Sequence, residues 1–459
     1  MTTPQTDIPA APNSHPLPLG EGTISLPLPS GEGTTTHPLP LGEGTISHPL
    51  PPGEGRGEGS SDSQSSRSAN RYAYIDNLRV FIIMMVLAHH SGNPYVGEDF
   101  WYYKSSDPNS PLVGLVIMLN TSFSMATLLV FSGFLLPSSY DRHGFFKYVK
   151  EKFIRLGIPL IFGGMVMLPL VQYTFHLNFG HQGYSSFWQY YWEAWHGMGQ
   201  RPENWEGPGW PDRNLSHLWY IEHLLFYALC YAVWRRFFCK EGPAERGDAP
   251  PPGNLGIFLF AAGVSLMTFV VRIWFPYNKV IALFGFLQID MSHLPLWLPF
   301  FFVGLFAYRN GWMTSLETRV GMRWLKIGVA LALFNFCSAY VSPWNMWFFG
   351  PEAWGGFHLA NLARSTWEAF FCVGISIGLM VLFREYLNER SRFTVALAAN
   401  AYAVHVFHPP MIVGLQYLFG PVPIPTFFKF IAVSLVGIVV CFTVSHFFIR
   451  RLPFAKRIL

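Results

Sequence analysis

The segment RYAYIDNLRVFIIMMVLAHHSGNPY, residues 71–95, sets Asp76, Arg79, His89 and His90 along an otherwise apolar run. Ionisable groups at membrane depth cost several kcal/mol and mark a functional path by default. At 100° per residue, the step from Arg79 to His90 makes three turns plus about 20°. Both side chains therefore share one helix face, separated by roughly 16 Å of rise. His89 lies about 80° off that face. A guanidinium suits a phosphate-bearing ligand, and an imidazole suits proton abstraction near neutral pH. Singly, a membrane histidine can be a packing residue and a terminal arginine can snorkel. Together on one stripe, one turn after Asp76, they favour function.

Other polar residues fall inside apolar runs. Glu222 and His223 follow Trp219 by one turn, and a carboxylate there could orient a histidine, bind a substrate or pair with a neighbouring helix. His408 precedes Pro409 and Pro410, which lack backbone donors. The helix is expected to break there, freeing carbonyls such as that of His405 and turning His408 toward a cavity. Tyr402 is a weaker companion. Ser132 and Gly133 fit close helix packing better than a nucleophile. The sixteen histidines form no metal-ligand pattern, and the five cysteines show no CxxC spacing, so neither a metal site nor a disulfide framework is indicated.

The elements that must carry these residues are membrane helices. Charged residues make up 13% of the chain and hydrophobic ones 51%, against about 25% charged in an ordinary soluble protein. The fold class expected is an all-α polytopic membrane protein. About ten spans are expected, near 76–92, 111–137, 155–175, 217–238, 255–275, 293–309, 325–342, 361–383, 395–419 and 426–448. With both termini cytoplasmic, 24 of the Lys and Arg residues fall inside and 7 outside, the bias that orients such proteins. The long outer loop at 176–216 is rich in aromatics. It reads as an interfacial belt or as a shelf for a sugar or polyol built from Trp188, Trp192, Trp195 and Trp205 with Glu206 and Asp212. Residues 1–70 repeat HPLPLGEGTIS with a period of eleven, and their prolines and glycines exclude helix. They read as a disordered low-complexity tail ahead of a membrane domain at 71–459. A net charge of +4 gives no reason to expect nucleic acid.

The motifs resemble the membrane acyltransferase 3 family, especially the branch with the glucan-succinylating enzymes of bacterial envelopes. The family's first helix carries an Arg, ten residues and a His, matched by Arg79 and His90 in DNLRVFIIMMVLAHH. LLVFSGFLLP matches a Ser-Gly-Phe motif at Ser132 and Gly133. KEKFIRLGIPL matches a basic pair, although this chain has Lys152 where the family usually has Arg, keeping Arg155 and losing bidentate geometry at the first position. HLWYIEHLLFYAL, PLWLPFFFVGLFAYRNGW and ANAYAVHVFHPPMIV extend the likeness across residues 72–450. The resemblance implies acyl transfer from cytoplasmic acyl-CoA to a hydroxyl of an extracytoplasmic glycan or polyol, in a bacterial cytoplasmic membrane. His90 would be the base, with Arg79 beside it in the catalytic set. Arg79, Lys152 and Arg155 would anchor the donor, and Ser132, Glu222, Tyr402 and His408 would line the substrate site. Partners implied are membrane lipid, acyl-CoA and the acceptor, with no metal. The alternative from another class is a transporter or flippase of a glycolipid or polyol, which internal symmetry between the two halves would favour; none is evident.

Overall fold

The computed structural model describes residues 72–97, 101–179, 184–203, 210–213, 215–239, 247–277, 279–284, 287–340, 344–453 and 455–458. The tail at 1–70, Trp205 and Glu206 lie outside these residues. Ten helices of twelve residues or more run through the described part. They are α1 (Ala73–Gly92), α2 (Pro111–Lys152), α3 (Leu168–Phe179), α4 (Trp219–Phe238), α5 (Asn254–Trp274), α6 (Leu294–Asn310), α7 (Thr318–Tyr340), α8 (Leu359–Tyr386), α9 (Arg392–Phe419) and α10 (Thr426–Phe447). Two wide-wound segments, Phe153–Gly157 and Gly163–Met167, join α2 to α3. Among the described residues, five stretches are long and apolar enough to cross a membrane: Pro111–Phe179, Asn254–Trp274, Thr318–Tyr340, Leu359–Tyr386 and Thr426–Arg451. This is an all-α protein with several membrane-crossing helices. At 17 residues, α6 is at the short end for a span.

Local chemistry sets the helix ends. Ser110 caps α2, its hydroxyl accepting from the Val113 amide, and Pro111 occupies the first turn, where its missing donor costs nothing. Gly144 adopts φ 67° and ψ 173° inside α2, a conformation that only glycine enters freely. The helix therefore kinks before its basic end. Ser391 and Thr394 form a reciprocal capping box at the start of α9.

Small residues let the backbones approach. A Cβ on Gly133 would collide with the Phe301 carbonyl, and one on Gly304 with the Val130 carbonyl, so α2 and α6 are locked at a reciprocal glycine contact. This accounts for the Ser132-Gly133 pair by packing. A Cβ on Gly374 would likewise crowd the Trp324 carbonyl, between α8 and α7. The most enclosed helix is α8, packed by α7, α5, α2 and α1, while α1 is embraced by α9, α10 and α2.

Between α5 and α6 the chain makes an antiparallel hairpin, β1 (Val280–Leu283) and β2 (Leu287–Asp290), which the hydrophobic pattern had left as a plain connection. Its base is anchored to a buried ionic group. Arg272 Nη1 meets Glu368 Oε2 at 2.7 Å with both side chains fully buried, and His293 Nδ1 meets Asp290 Oδ2 at 2.6 Å. Burial pushes the Asp290 carboxyl up, but His293 and the Ser292 hydrogen bonds outweigh it and hold it at about 2. Arg364 lies nearby inside a box of aromatic rings, 4.7 Å from the Trp354 centroid and 5.0 Å from that of Trp367.

Candidate functional site

Four imidazoles from three elements meet beside the C-terminal half of α1. The His90 ring stacks on His408 of α9 at 5.0 Å between centroids, and His217, just before α4, stands 4.8 Å from His408. His405, one turn before His408, completes the group at 5.9 Å from His217. His217, His405 and His408 are buried, whereas His90 keeps part of its surface open. His90 is thus the member a substrate can reach.

The double proline explains the arrangement. In a regular helix the amides of residues 409 and 410 would donate to the carbonyls of residues 405 and 406. Prolines cannot, so two carbonyls at membrane depth would be left bare. The His405 carbonyl instead accepts from His408 Nδ1 at 2.8 Å, and the Val406 carbonyl accepts from His217 Nε2 at 2.9 Å. A carbonyl can only accept, so these contacts fix both tautomers and leave His408 Nε2 and His217 Nδ1 without a proton. Both of those nitrogens are buried and unpartnered. The expected break at His408 is not found: α9 runs without interruption from Arg392 to Phe419. Imidazole donors replace the missing amide donors and remove the reason for breaking.

Several residues around His90 carried no signal in the sequence. The Trp101 indole also stacks on His90, at 4.8 Å and 13°. Its Nε1–H donates to Gln416 Oε1 at 2.7 Å, and Gln416 Nε2 donates to the His90 carbonyl at 2.9 Å. Asn93 Nδ2 lies 3.3 Å from His90 Nδ1. The amide oxygen of Asn93 has no partner. A half-turn of that amide exchanges the two atoms and lets the oxygen accept from Nδ1–H, the tautomer that leaves Nε2 bare. Tyr102, next to Trp101, is a buried phenol whose pKa burial raises, opposed by a hydrogen bond with Ser216.

The residues singled out from the sequence fall into three places. His90 and His408 are together. Arg79 sits three turns from His90 on the uninterrupted α1, half exposed and paired loosely with Asp76 at 3.6 Å. Ser132 is linked to the imidazoles indirectly. Its hydroxyl binds the Leu128 carbonyl at 2.9 Å and lies 2.7 Å from the Tyr220 hydroxyl, and the Tyr220 ring is 5.6 Å from that of His405.

Tyr402 points to the basic segment, its hydroxyl donating to the Arg155 carbonyl at 2.7 Å. Arg155 itself is exposed, and Lys152 lies over the Tyr148 ring at 5.0 Å. Glu222 stands apart from the imidazoles. Its carboxylate accepts from the Gln288 amide of β2 at 3.3 Å, and so docks the hairpin on α4.

In the aromatic segment before α4, Trp188 and Trp192 are exposed, but Trp195 is fully buried and Asp212 is committed to Tyr190 and His176, at 3.1 and 3.3 Å. A sugar shelf there reduces, among the described residues, to Trp188 and Trp192. An apolar hollow of about 710 Å³ between α2, α5, α6 and α8 is lined by none of the residues proposed from sequence.

Comparison with known proteins gives one match. No curated protein and no solved structure matches the chain. Residues 72–446 match the family described as an acyltransferase domain, acyltransferase 3, and so include α1 with Arg79 and His90, both segments of the basic pair and all four imidazoles. With most of its length covered, the chain belongs to the acyltransferase 3 family.

Proposed function

We propose that this protein is a membrane O-acyltransferase. It takes an acyl group from cytoplasmic acyl-CoA and passes it to a hydroxyl of an extracytoplasmic glycan or related polyol, with His90 as general base. The observation that carries the reading is the pairing, on one helix, of a half-exposed guanidinium and an accessible imidazole three turns away. Arg79, Lys152 and Arg155 supply cations for the phosphates of CoA, and the pantetheine arm spans the roughly 16 Å to His90. The Tyr402 bond to the Arg155 carbonyl supports a shared function of the basic segment and α9, because one turn further along α9 come the imidazoles.

In the transfer itself, His90 removes the proton of the acceptor hydroxyl as its oxygen attacks the thioester carbon. The carbon–sulfur bond breaks, an ester forms, and the proton on His90 goes to the departing thiolate. The proposed topology has ten spans with both termini cytoplasmic, in a bacterial cytoplasmic membrane, on the strength of the 24 to 7 division of Lys and Arg. Trp188 and Trp192 offer exposed faces for sugar rings.

The test is transfer from labelled acetyl- and succinyl-CoA by the purified protein, with His90→Ala beside it. The variant is expected to bind donor normally while transfer falls at least about 100-fold. A folded wild-type protein that neither binds CoA nor turns over any thioester sinks the reading.

A further inference from the structure

We infer that His90 works inside an aromatic clamp, and that Trp101, Gln416 and the carbonyl freed by Pro409 are its positioning groups. The inference rests on the reading of His90 as the base. Two flat rings lie nearly parallel to the His90 imidazole: Trp101 at 4.8 Å and 13°, and His408 at 5.0 Å and 25°. Each jaw is fixed from outside. Trp101 cannot slide, because its indole N–H is bound by Gln416 at 2.7 Å, and the same Gln416 amide holds the His90 backbone carbonyl at 2.9 Å. Gln416 is fully buried and makes a further contact to the Ser91 carbonyl at 3.3 Å, so it measures the distance between the Trp101 loop and α1. His408 is fixed by Nδ1 on the His405 carbonyl at 2.8 Å, a carbonyl available only because residue 409 is proline.

The clamp has a chemical consequence beyond rigidity. Proton abstraction turns His90 into an imidazolium with little water around it. Electron-rich ring faces attract a cation, and indole does so best. In the neutral His408 ring the tautomer lock leaves the remaining nitrogen bare, and the second jaw then presents a neutral π face. The positive charge therefore develops against two faces already in place. A substrate bound in the ground state gains nothing from this, so the effect belongs in kcat rather than KM.

The experiment compares acyl transfer by the full-length wild-type protein with Trp101→Phe, Trp101→Leu, Gln416→Leu and Pro409→Ala, using the acetyl- or succinyl-CoA that the wild type accepts. Trp101→Leu removes a jaw and is expected to lower kcat by roughly 2- to 30-fold, with donor KM within about twofold. Trp101→Phe keeps a flat face and is expected to restore much of that loss. Gln416→Leu and Pro409→Ala leave all rings present but release one jaw each, and both are expected to lower kcat without changing donor KM. Because Pro409→Ala favours helix, it keeps the test valid even where a Trp101 variant fails to fold. Wild-type kcat in Trp101→Leu or in the two release variants overturns the clamp. So does a Trp101→Phe protein no better than Trp101→Leu. A wild type without transfer overturns the acyltransferase reading and the clamp together, whereas an active wild type matched by its variants overturns the clamp alone.

Discussion

Arg79 is tied to Asp76 at 3.6 Å with about two fifths of each side chain exposed, a pair of the kind that contributes little to stability. Such a guanidinium is available to a phosphate with little loss. Lys152 over Tyr148 and the exposed Arg155 are equally uncommitted. Removing Arg79 or Arg155 as alanine is expected to raise donor KM about tenfold each, the scale of one charge-assisted hydrogen bond, with kcat changed far less. Donor titration in the two variants checks this, and a loss confined to kcat would move these residues out of the anchoring role. At this scale the sequence was partly legible. His90 and His408 announce themselves, because a histidine at membrane depth or before two prolines is conspicuous on its own. Trp101 and Gln416 do not, since they lie 315 positions apart and an aromatic residue near an interface has an ordinary explanation. Glu222 looked equally eligible by composition, and only folding reveals that its partner is a hairpin amide.

Helix α2 is held to α6 by Gly133 and Gly304. Two helices this close leave no room for a side chain. Gly304→Leu is expected to push them apart and to lower the yield of folded, detergent-stable protein sharply, as monitored by size-exclusion chromatography, while a conservative change at exposed Phe302 leaves the yield intact. Normal folding of Gly304→Leu would mean that the contact is slack. Apolar run length foretold most of the long helices within a few residues, because the hydrocarbon layer dictates length and composition together, but α2 runs on to Lys152 and α3 begins only at Leu168. The hairpin and the continuity of α9 were not foretold. Strand pairing over four residues leaves no periodic trace, and the prolines of α9 are compensated by histidines, one of them from another helix.

Among the buried polar groups of the described residues, two territories stand out. One is the group of imidazoles between α1, α9 and the start of α4. The other is the buried Arg272, Glu368 and His293 group beneath the hairpin. They approach through stacked aromatics, Trp219 on Trp297 at 4.5 Å and Trp297 on His293 at 4.9 Å. Composition and charge bias already pointed to a membrane protein. The division into two territories depends on contacts between helices far apart in sequence, which no local pattern encodes.

Because Arg79 and His90 ride on the same unbroken helix, their separation cannot adjust to a donor, and under the proposed function α1 is in effect a ruler with a phosphate mark at one end and a reactive mark at the other. A ruler rejects what is too short. Acyl groups on a full CoA are expected to be transferred, whereas the same acyl group on N-acetylcysteamine, with equal thioester reactivity and no phosphates, is expected to react at least about 100-fold more slowly at equal concentration. Side-by-side transfer assays with the two thioesters read the length directly, and equal rates would show that nothing is being measured out.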